Sequence, residues 1–214
     1  MIKFLDLYKQ DEKLHNAILK DINILFQKGD FILGKEVLKF EYNFKTFCGS
    51  KYAISCGNGT DALTIALKSL CLPNNSEVII PAMTYCSTAF AIINAGLIPV
   101  LVDTEFLTPT IDLIDLKKKI NRKTKVILPV HLYGSVADLN GIKKIIKNRN
   151  IYLVDDCAQA HGAYDDSSNT PKKKRIGSAT DVSCFSLYPG KNLGAYGDAG
   201  IITTNNKKLY NKIK

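Results

Sequence analysis

Three short stretches of this chain combine residue types that could do chemistry. The first is Gly57-Asn58-Gly59-Thr60-Asp61-Ala62, which follows an apolar run and opens a helical pattern. At a helix start the first backbone N–H groups point outward and the helix dipole favours an anion. Glycine lets that anion approach the backbone closely. The spacing also matches GxGxxA, the dinucleotide fingerprint. That reading needs a carboxylate at the end of the next strand to hold a ribose. The next strand ends in Val78-Ile79-Ile80-Pro81-Ala82, and Glu77 stands at its other end. The stretch therefore reads as a phosphate site rather than a nicotinamide site, with a tight turn plus helix cap as the plain structural alternative.

The second stretch is Val154-Asp155-Asp156-Cys157-Ala158-Gln159-Ala160-His161-Gly162. Two carboxylates stand at the C-terminal end of a buried strand, the edge where open α/β sheets bind ligands. A carboxylate there is costly unless it meets a cation or hydrogen-bond donors. One of the pair could hold a protonated ring nitrogen while the other caps the next helix; alternatively both are caps. The third stretch is Cys184-Phe185-Ser186-Leu187-Tyr188-Pro189-Gly190-Lys191-Asn192-Leu193-Gly194. A Pro/Gly-rich turn after a strand fixes the backbone and aims one lysine. A partly buried lysine near cationic groups has a depressed pKa and can form a Schiff base. A phosphate cradle, a strand-end aspartate and a loop lysine together are what a pyridoxal phosphate site requires.

The elements that must position these residues follow from hydrophobic patterning. From about residue 51, short apolar runs alternate with helical stretches. The expected strands are Lys51–Cys56, Glu77–Pro81, Ile98–Asp103, Lys125–Val130, Ile151–Asp156, Val182–Leu187 and Gly200–Thr204. Several are continuously apolar, as strands buried on both faces are. Asp61–Leu70, Thr84–Asn94 and Asp138–Lys147 carry apolar residues at helical spacing. Alternation of this kind predicts an α/β fold, a three-layer αβα arrangement around a mostly parallel seven-stranded, doubly wound sheet. Residues 1–50 read differently, as a helical segment with helices over Glu12–Gln27 and Glu36–Phe47. Asp165–Arg175 is polar throughout and reads as a solvated loop; Lys172–Arg175 within it could meet a phosphate. Asn205–Lys214 reads as the opening of a helix with no stop signal, the pattern of a chain cut short.

Composition excludes several classes. The chain has 214 residues, 46% hydrophobic and 23% charged, which suits one globular domain with an appendage and not a disordered chain. The net charge of +9 comes from lysine, with only Arg122, Arg149 and Arg175 as arginines, and it is scattered along the chain. Specific nucleic-acid readers lean on arginine, so no nucleic-acid partner is expected, although an anionic small substrate would be attracted. The cysteines form no CxxC pair and no His/Cys cluster with zinc spacing, so no metal is expected. Cys56, Cys71, Cys157 and Cys184, in apolar surroundings, read as small buried hydrophobes in a reducing compartment. The apolar stretch Ala89–Val102 is too short to span a bilayer, and Lys3 and Asp6 interrupt any apolar leader. The expectation is a soluble cytoplasmic protein without a membrane partner.

The blocks NGTDAL, VIIPAMTY, PVHLYG, DDCAQAHGA and FSLYPGKNLGAYGDAG, in this order and spacing, resemble the DegT/DnrJ/EryC1/StrS family of sugar aminotransferases, members of the aspartate aminotransferase fold. The resemblance runs along nearly the whole chain, from Phe4-Leu5-Asp6-Leu7 onward. It implies pyridoxal 5′-phosphate as cofactor, bound by a large domain over 51–214, with a smaller C-terminal domain absent. Lys191 would carry the cofactor's aldehyde, Asp156 would pair with the pyridine nitrogen, and Gln159 would lie by the ring hydroxyl. Gly59, Thr60 and Ser186 would bind the phosphate, and Tyr85 would stack on the ring. His161 and Asn192 would lie nearby, toward substrate or behind the site. Glutamate or glutamine would donate an amino group to a nucleotide-linked keto-deoxysugar. The block YPGKNLGA resembles the branch that aminates C3 of dTDP-3-keto-6-deoxyhexoses, for surface polysaccharide or glycoside biosynthesis. Relatives form homodimers with sites shared across the interface. The alternatives are a truncated, non-catalytic cofactor-binding fragment and an NAD-dependent oxidoreductase resting on GxGxxA alone. A dehydratase, in which relatives carry histidine in place of Lys191, is less consistent.

Overall fold

The computed structural model describes residues 4, 6–10, 12–165 and 174–214. The chain divides into two compact units, Met1–Phe40 and Glu41–Lys214, whereas the sequence pattern places the change at residue 50.

In the first unit a short helix α1 (Leu7–Gln10) and a 3₁₀ turn at Glu12–Leu14 precede α2 (His15–Lys28). The helix expected over Glu12–Gln27 thus begins as a tighter turn. It ends where Gly29 adopts φ 64° and donates its N–H to the Leu25 carbonyl at 2.9 Å, a stop that glycine makes without strain. The next helix, α3 (Lys35–Cys48), starts on the Asp30 carboxylate, which accepts from the Lys35 N–H at 3.1 Å.

The second unit is built on seven strands: β1 (Tyr52–Cys56), β2 (Glu77–Pro81), β3 (Ile98–Val102), β4 (Thr124–Ile127), β5 (Tyr152–Asp156), and, after a two-stranded excursion, β8 (Val182–Ser186) and β9 (Gly200–Thr204). The excursion pairs β6 (Tyr164–Asp165) with β7 (Lys174–Arg175), antiparallel. The polar loop expected over Asp165–Arg175 is therefore anchored by strands at both ends; its centre, 166–173, which holds two of the lysines proposed for phosphate, lies outside the described residues. Arg175 instead packs its guanidinium over the Phe47 and Tyr164 rings and donates to the Phe47 carbonyl.

The sheet order is β1-β9-β8-β5-β4-β2-β3. All pairs are parallel except those made by β9, which runs antiparallel to both neighbours. The mostly parallel α/β sheet is as expected. One consequence of the reversed strand matters for the site. β1 and β8 run the same way, so both end at the edge where β9 begins, with Cys56 and Ser186 flanking Gly200 in register.

Alternation along the strands sorts residues to two faces. Val78, Ile80, Val126, Val154, Val182, Cys184 and Ile202 join one buried cluster with Ala62, Leu63, Ala66 and Leu67 of α4 (Gly59–Ser69) and Ala91 and Ile92 of α5 (Cys86–Asn94). Ile79, Ile127, Leu153, Phe185 and Ile201 alternate with these, are equally buried, and lie outside that cluster. Helix α7 (Leu139–Ile146) buries Leu139 and Ile142. Its predecessor α6 (Leu113–Lys119) has no counterpart among the expected elements: it is only two turns long, begun by an Asp112 cap and ended by three lysines. Helix α8 (Lys207–Ile213) opens at an Asn206 cap. The expected β4 strand is shorter than the apolar run Lys125–Val130; past Ile127 the chain touches neighbouring strands only at single points, Leu128 N–H to Ile79 O at 2.8 Å and a bridge from Val130 to Asp156. Cys71 corrects another expectation. It is exposed, in a left-handed conformation (φ 50°) just past α4, and Cys56 is only partly buried, while Cys157 and Cys184, like Cys48, are buried.

At Gly200 the sheet meets the turn into α4. A Cβ added there would overlap the Asn58 carbonyl, with the Cys56 sulfur only 2.9 Å away. Gly200→Ala is therefore expected to cost about 1–3 kcal/mol of stability, seen as a lower urea midpoint at unchanged m-value; an unchanged midpoint would show that the turn shifts freely.

Candidate functional site

The site is assembled at the C-terminal edge of β1, β5 and β8. Asn58 is extended (φ −165°, ψ 179°) and begins α4 by a reciprocal pair of bonds. Its Oδ1 accepts from the Asp61 N–H at 2.8 Å, and its Nδ2 donates to Asp61 Oδ2 at 2.9 Å. The Asn58 side chain thus caps the start of α4 and holds the Asp61 carboxylate. The Ala62 N–H makes the first helical bond, to Asn58 O at 3.0 Å, which leaves the N–H groups of Gly59 and Thr60 for a ligand. A Cβ at Gly59 would stand 2.6 Å from the Ser186 Cβ, so only glycine lets the helix start rest on the end of β8. Ser186 Oγ accepts from the Tyr188 N–H at 3.3 Å, which leaves its own proton to donate. Three donors from two elements thus converge where an anion would sit.

The two aspartates of β5 point to opposite faces, and neither caps a helix. A turn follows the strand rather than the helix the sequence implies. Asp156 faces the α4–α5 side. Its Oδ2 accepts from Thr88 Oγ1 at 2.9 Å and its Oδ1 from the Ala158 N–H at 3.0 Å. Burial still holds its pKa above the ordinary carboxylate value, against the Ala158 and Thr88 bonds and the Lys191 charge. A buried carboxylate with that balance favours a cationic partner. Asp155, on the other face, is fully buried against His131, 3.1 Å from its Nε2, and accepts from Thr180 Oγ1 at 2.7 Å. Burial alone would raise its pKa, but the bonds from His131, Ser183 and Thr180 outweigh burial and hold it low.

Gln159 is oriented by the backbone. Its Oε1 accepts from the Tyr133 N–H at 2.7 Å, so its amide N–H₂ is the end left to donate. Lys191 sits in a turn closed by its own N–H on Tyr188 O at 2.8 Å. Tyr85 immediately precedes α5 and is 68% exposed. A cavity of about 680 Å³ gathers Gly59, Thr60, Tyr85, Asp156, Gln159, Ser186 and Lys191 on its walls, with Thr84, Thr88, Val130, Leu132, Tyr188 and Asp198 among the others. The cavity thus combines anion donors, a carboxylate suited to a cation, and a primary amine.

Two expected residues are not on those walls. Asn192 is exposed. His161 lies behind, its ring 5.3 Å from Phe185 and 6.5 Å from Phe44, with no hydrogen-bond partner for either nitrogen. Burial lowers its pKa to about 4, and the Lys191 charge pushes the same way, against a loose contact with the Ser186 backbone. Sequence reading missed Thr88 and His131. Thr88, on the apolar helix α5, bonds Thr84 just before that helix at 2.8 Å. His131 is a lone polar residue in the run Ile127–Leu132. The nicotinamide reading gains no support: β2 ends at Pro81, and Glu77 at its start accepts from Asn121 Nδ2 at 2.7 Å.

Residues 12–214 match the profile of the DegT/DnrJ/EryC1/StrS aminotransferase family, and the chain belongs to that family. A similar relative is the dTDP-3-amino-3,6-dideoxy-alpha-D-galactopyranose transaminase of Aneurinibacillus thermoaerophilus, 42% identical over 213 residues, covering 100% of this chain and 57% of the relative. Among solved structures, DesV of S. venezuelae in complex with a ketimine intermediate superposes with a TM-score of 0.92 at 36% identity, covering 99% of this chain and 56% of the other. NtdA from Bacillus subtilis with bound cofactor PMP gives a TM-score of 0.90 at 31% identity, covering 99% of this chain and 47% of the other. The chain spans about half the length of the proteins it matches. Among the described residues no helix is long and apolar enough to cross a membrane.

The buried imidazole of His161 makes a pH prediction. An unfolded histidine takes up a proton near 6.5, whereas the folded one does so only near 4. Unfolding therefore gains protons as pH falls between these values, and stability declines over that window. From pH 7 to pH 5 the wild type is expected to lose about 1–2 kcal/mol more than His161→Leu, by urea titration. Asp156 shifts the opposite way but titrates in both proteins and cancels. Equal losses in the two proteins would refute the assignment.

Proposed function

We propose that this protein is a pyridoxal 5′-phosphate-dependent aminotransferase that moves an amino group from glutamate or glutamine to a keto group on a nucleotide-linked deoxysugar, with a dTDP-3-keto-6-deoxyhexose as substrate. The observation that carries this reading is the single cavity in which Lys191, Asp156 and the Gly59–Thr60–Ser186 donors meet. The donor set suits the cofactor chemically. Its phosphate would take the N–H groups of Gly59 and Thr60 and the Ser186 hydroxyl. Its ring nitrogen, protonated, would neutralise the buried Asp156 carboxylate, whose raised pKa marks it as short of a positive neighbour. Gln159, held by Tyr133, would turn its N–H₂ to the ring hydroxyl. Tyr85 would cover one ring face, and Val130 and Leu132 would line the cavity with apolar surface. Membership of the aminotransferase family and the PMP-bound structural relative support the same cofactor.

When bound, the cofactor supplies an electron sink for the bond-breaking step. The chain's own residues handle position and protons. Asp156 keeps a proton on the ring nitrogen, which keeps the ring electron-poor. Lys191 Nζ would serve as general base and then acid for the proton at the donor's Cα. The net charge of +9 favours an anionic sugar nucleotide. The transaminase named for A. thermoaerophilus supports the dTDP-sugar assignment. We place the activity in surface polysaccharide or glycoside biosynthesis, in a cytoplasmic homodimer; six unpaired cysteines suit a reducing compartment.

The test is absorbance in the visible after incubation with pyridoxal phosphate, beside Lys191→Ala, followed by transfer from glutamate to a dTDP-keto-sugar. Wild type is expected to show the bound-cofactor band and transfer. Lys191→Ala should lose the band and lower kcat by at least about 100-fold. Identical spectra would remove Lys191 from its role, and reduction of a keto substrate by NADH without pyridoxal phosphate would replace the proposal by an oxidoreductase.

A further inference from the structure

Behind the cavity lies a buried polar group that the proposed chemistry does not use. His131 and Asp155 are both completely buried, on the face of β5 away from Asp156. His131 Nδ1 accepts from the Ala137 N–H at 3.1 Å. Nε2 therefore carries the ring proton and donates it to Asp155 Oδ2 at 3.1 Å. Thr180 Oγ1 donates to the other carboxylate oxygen at 2.7 Å. With Cys157 these two side chains come within 4.8 Å of one another. They make no metal site, because one imidazole nitrogen is occupied as acceptor and the other as donor.

The backbone of the same histidine is tied to the cavity. Its N–H donates to the Asp156 carbonyl at 3.0 Å, and the Asp156 N–H donates to the Pro129 carbonyl at 2.9 Å. The segment 129–131 thus brackets Asp156 from both sides. Two residues on, Tyr133 takes the left-handed conformation (φ 55°, ψ 21°) in a 3₁₀ turn closed by Gly134 N–H on His131 O at 3.3 Å. That conformation is unfavourable for a non-glycine residue, so the turn must be held by something else. Held, it aims the Tyr133 N–H at Gln159 Oε1, 2.7 Å away.

We infer that His131, locked by Asp155 and Thr180, is a positioning residue that sets both Asp156 and Gln159 against the cofactor ring. This rests on the cofactor reading above. The imidazole touches neither group through its own side-chain hydrogen bonds; it acts through the backbone of 129–134. One buried pair would therefore control the polar contacts at two positions on the ring.

The experiment uses the full-length protein loaded with pyridoxal phosphate. His131→Phe and Asp155→Leu remove the pair; His131→Gln and Asp155→Asn keep a hydrogen bond. Cofactor affinity is read by equilibrium dialysis, and ring orientation by visible circular dichroism at saturating cofactor. The Phe and Leu variants are expected to bind about tenfold more weakly, the scale of supporting-shell losses, with an altered visible dichroic band. Gln and Asn should return toward wild type. A merely structural role would lower the melting temperature and leave the band of the saturated protein unchanged; that result, or wild-type affinity in the folded Phe and Leu variants, overturns the inference. Should the Phe and Leu variants not fold, Thr180→Val, which removes one of the three side-chain bonds on Asp155, carries the same readouts. A wild type with no visible band at all would sink the cofactor reading, and the inference with it.

Discussion

Two consecutive carboxylates, both buried at the end of one strand, are the constraint around which this unit is organised. Burying a carboxylate is costly unless donors or a cation meet it. Adjacent strand residues face opposite sides of a sheet, so one set of partners cannot serve both. Asp155 finds a complete set within the protein: an imidazole N–H, the Thr180 hydroxyl and Ser183. Asp156 finds only the Thr88 hydroxyl and a backbone N–H, and burial keeps its pKa raised. The difference between the neighbours suits one to scaffold and, on the function proposed above, the other to a ligand.

The opposite wall of the cavity depends on backbone approach rather than charge. Because β9 runs against its neighbours, its first residue lies where β1 and β8 end. Gly200 there leaves room for the Asn58 carbonyl, and Gly59 leaves room for Ser186. Without both, the start of α4 could not lie on the sheet edge beside the β8 hydroxyl. The distance between the anion donors and Asp156 is thereby set by strand spacing, which makes it stiff. Lys191 reaches the same cavity from the turn that joins β8 to β9, so two ends of one antiparallel pair contribute to the site.

What was legible in the chain is what local spacing encodes. Gly59, Thr60, Asp156, Gln159, Ser186 and Lys191 lie in short segments whose residue types already imply a turn, a strand end or an aimed side chain, and all reach the cavity. Most strands announce themselves by continuous apolar runs. The direction of β9 does not, because a strand buried along its whole length reads the same in either sense. Helix α6 is too short for a periodicity to accumulate. Cys71, between Leu70 and Leu72, looks buried, yet its left-handed backbone just past a helix end turns it outward. Thr88 and His131 were missed for a different reason: their partners lie 68 and 24 residues away, and only the folded sheet pairs them.

Those long-range pairs explain why a site of this kind needs more protein than the residues that touch a ligand. Thr88 belongs to α5 and bonds Asp156 directly, on the cavity side. His131 belongs to the segment after β4 and reaches Asp156 only through the peptide backbone, from the other side. The strand between them carries both loads. Its side chains cannot slide without breaking the Asp155 pair, and its end cannot lift without breaking the rungs to Pro129 and His131. A carboxylate left short of a partner is useful only if it cannot move to find one. On this reading the well-satisfied face of β5 is what keeps the poorly satisfied face available for chemistry.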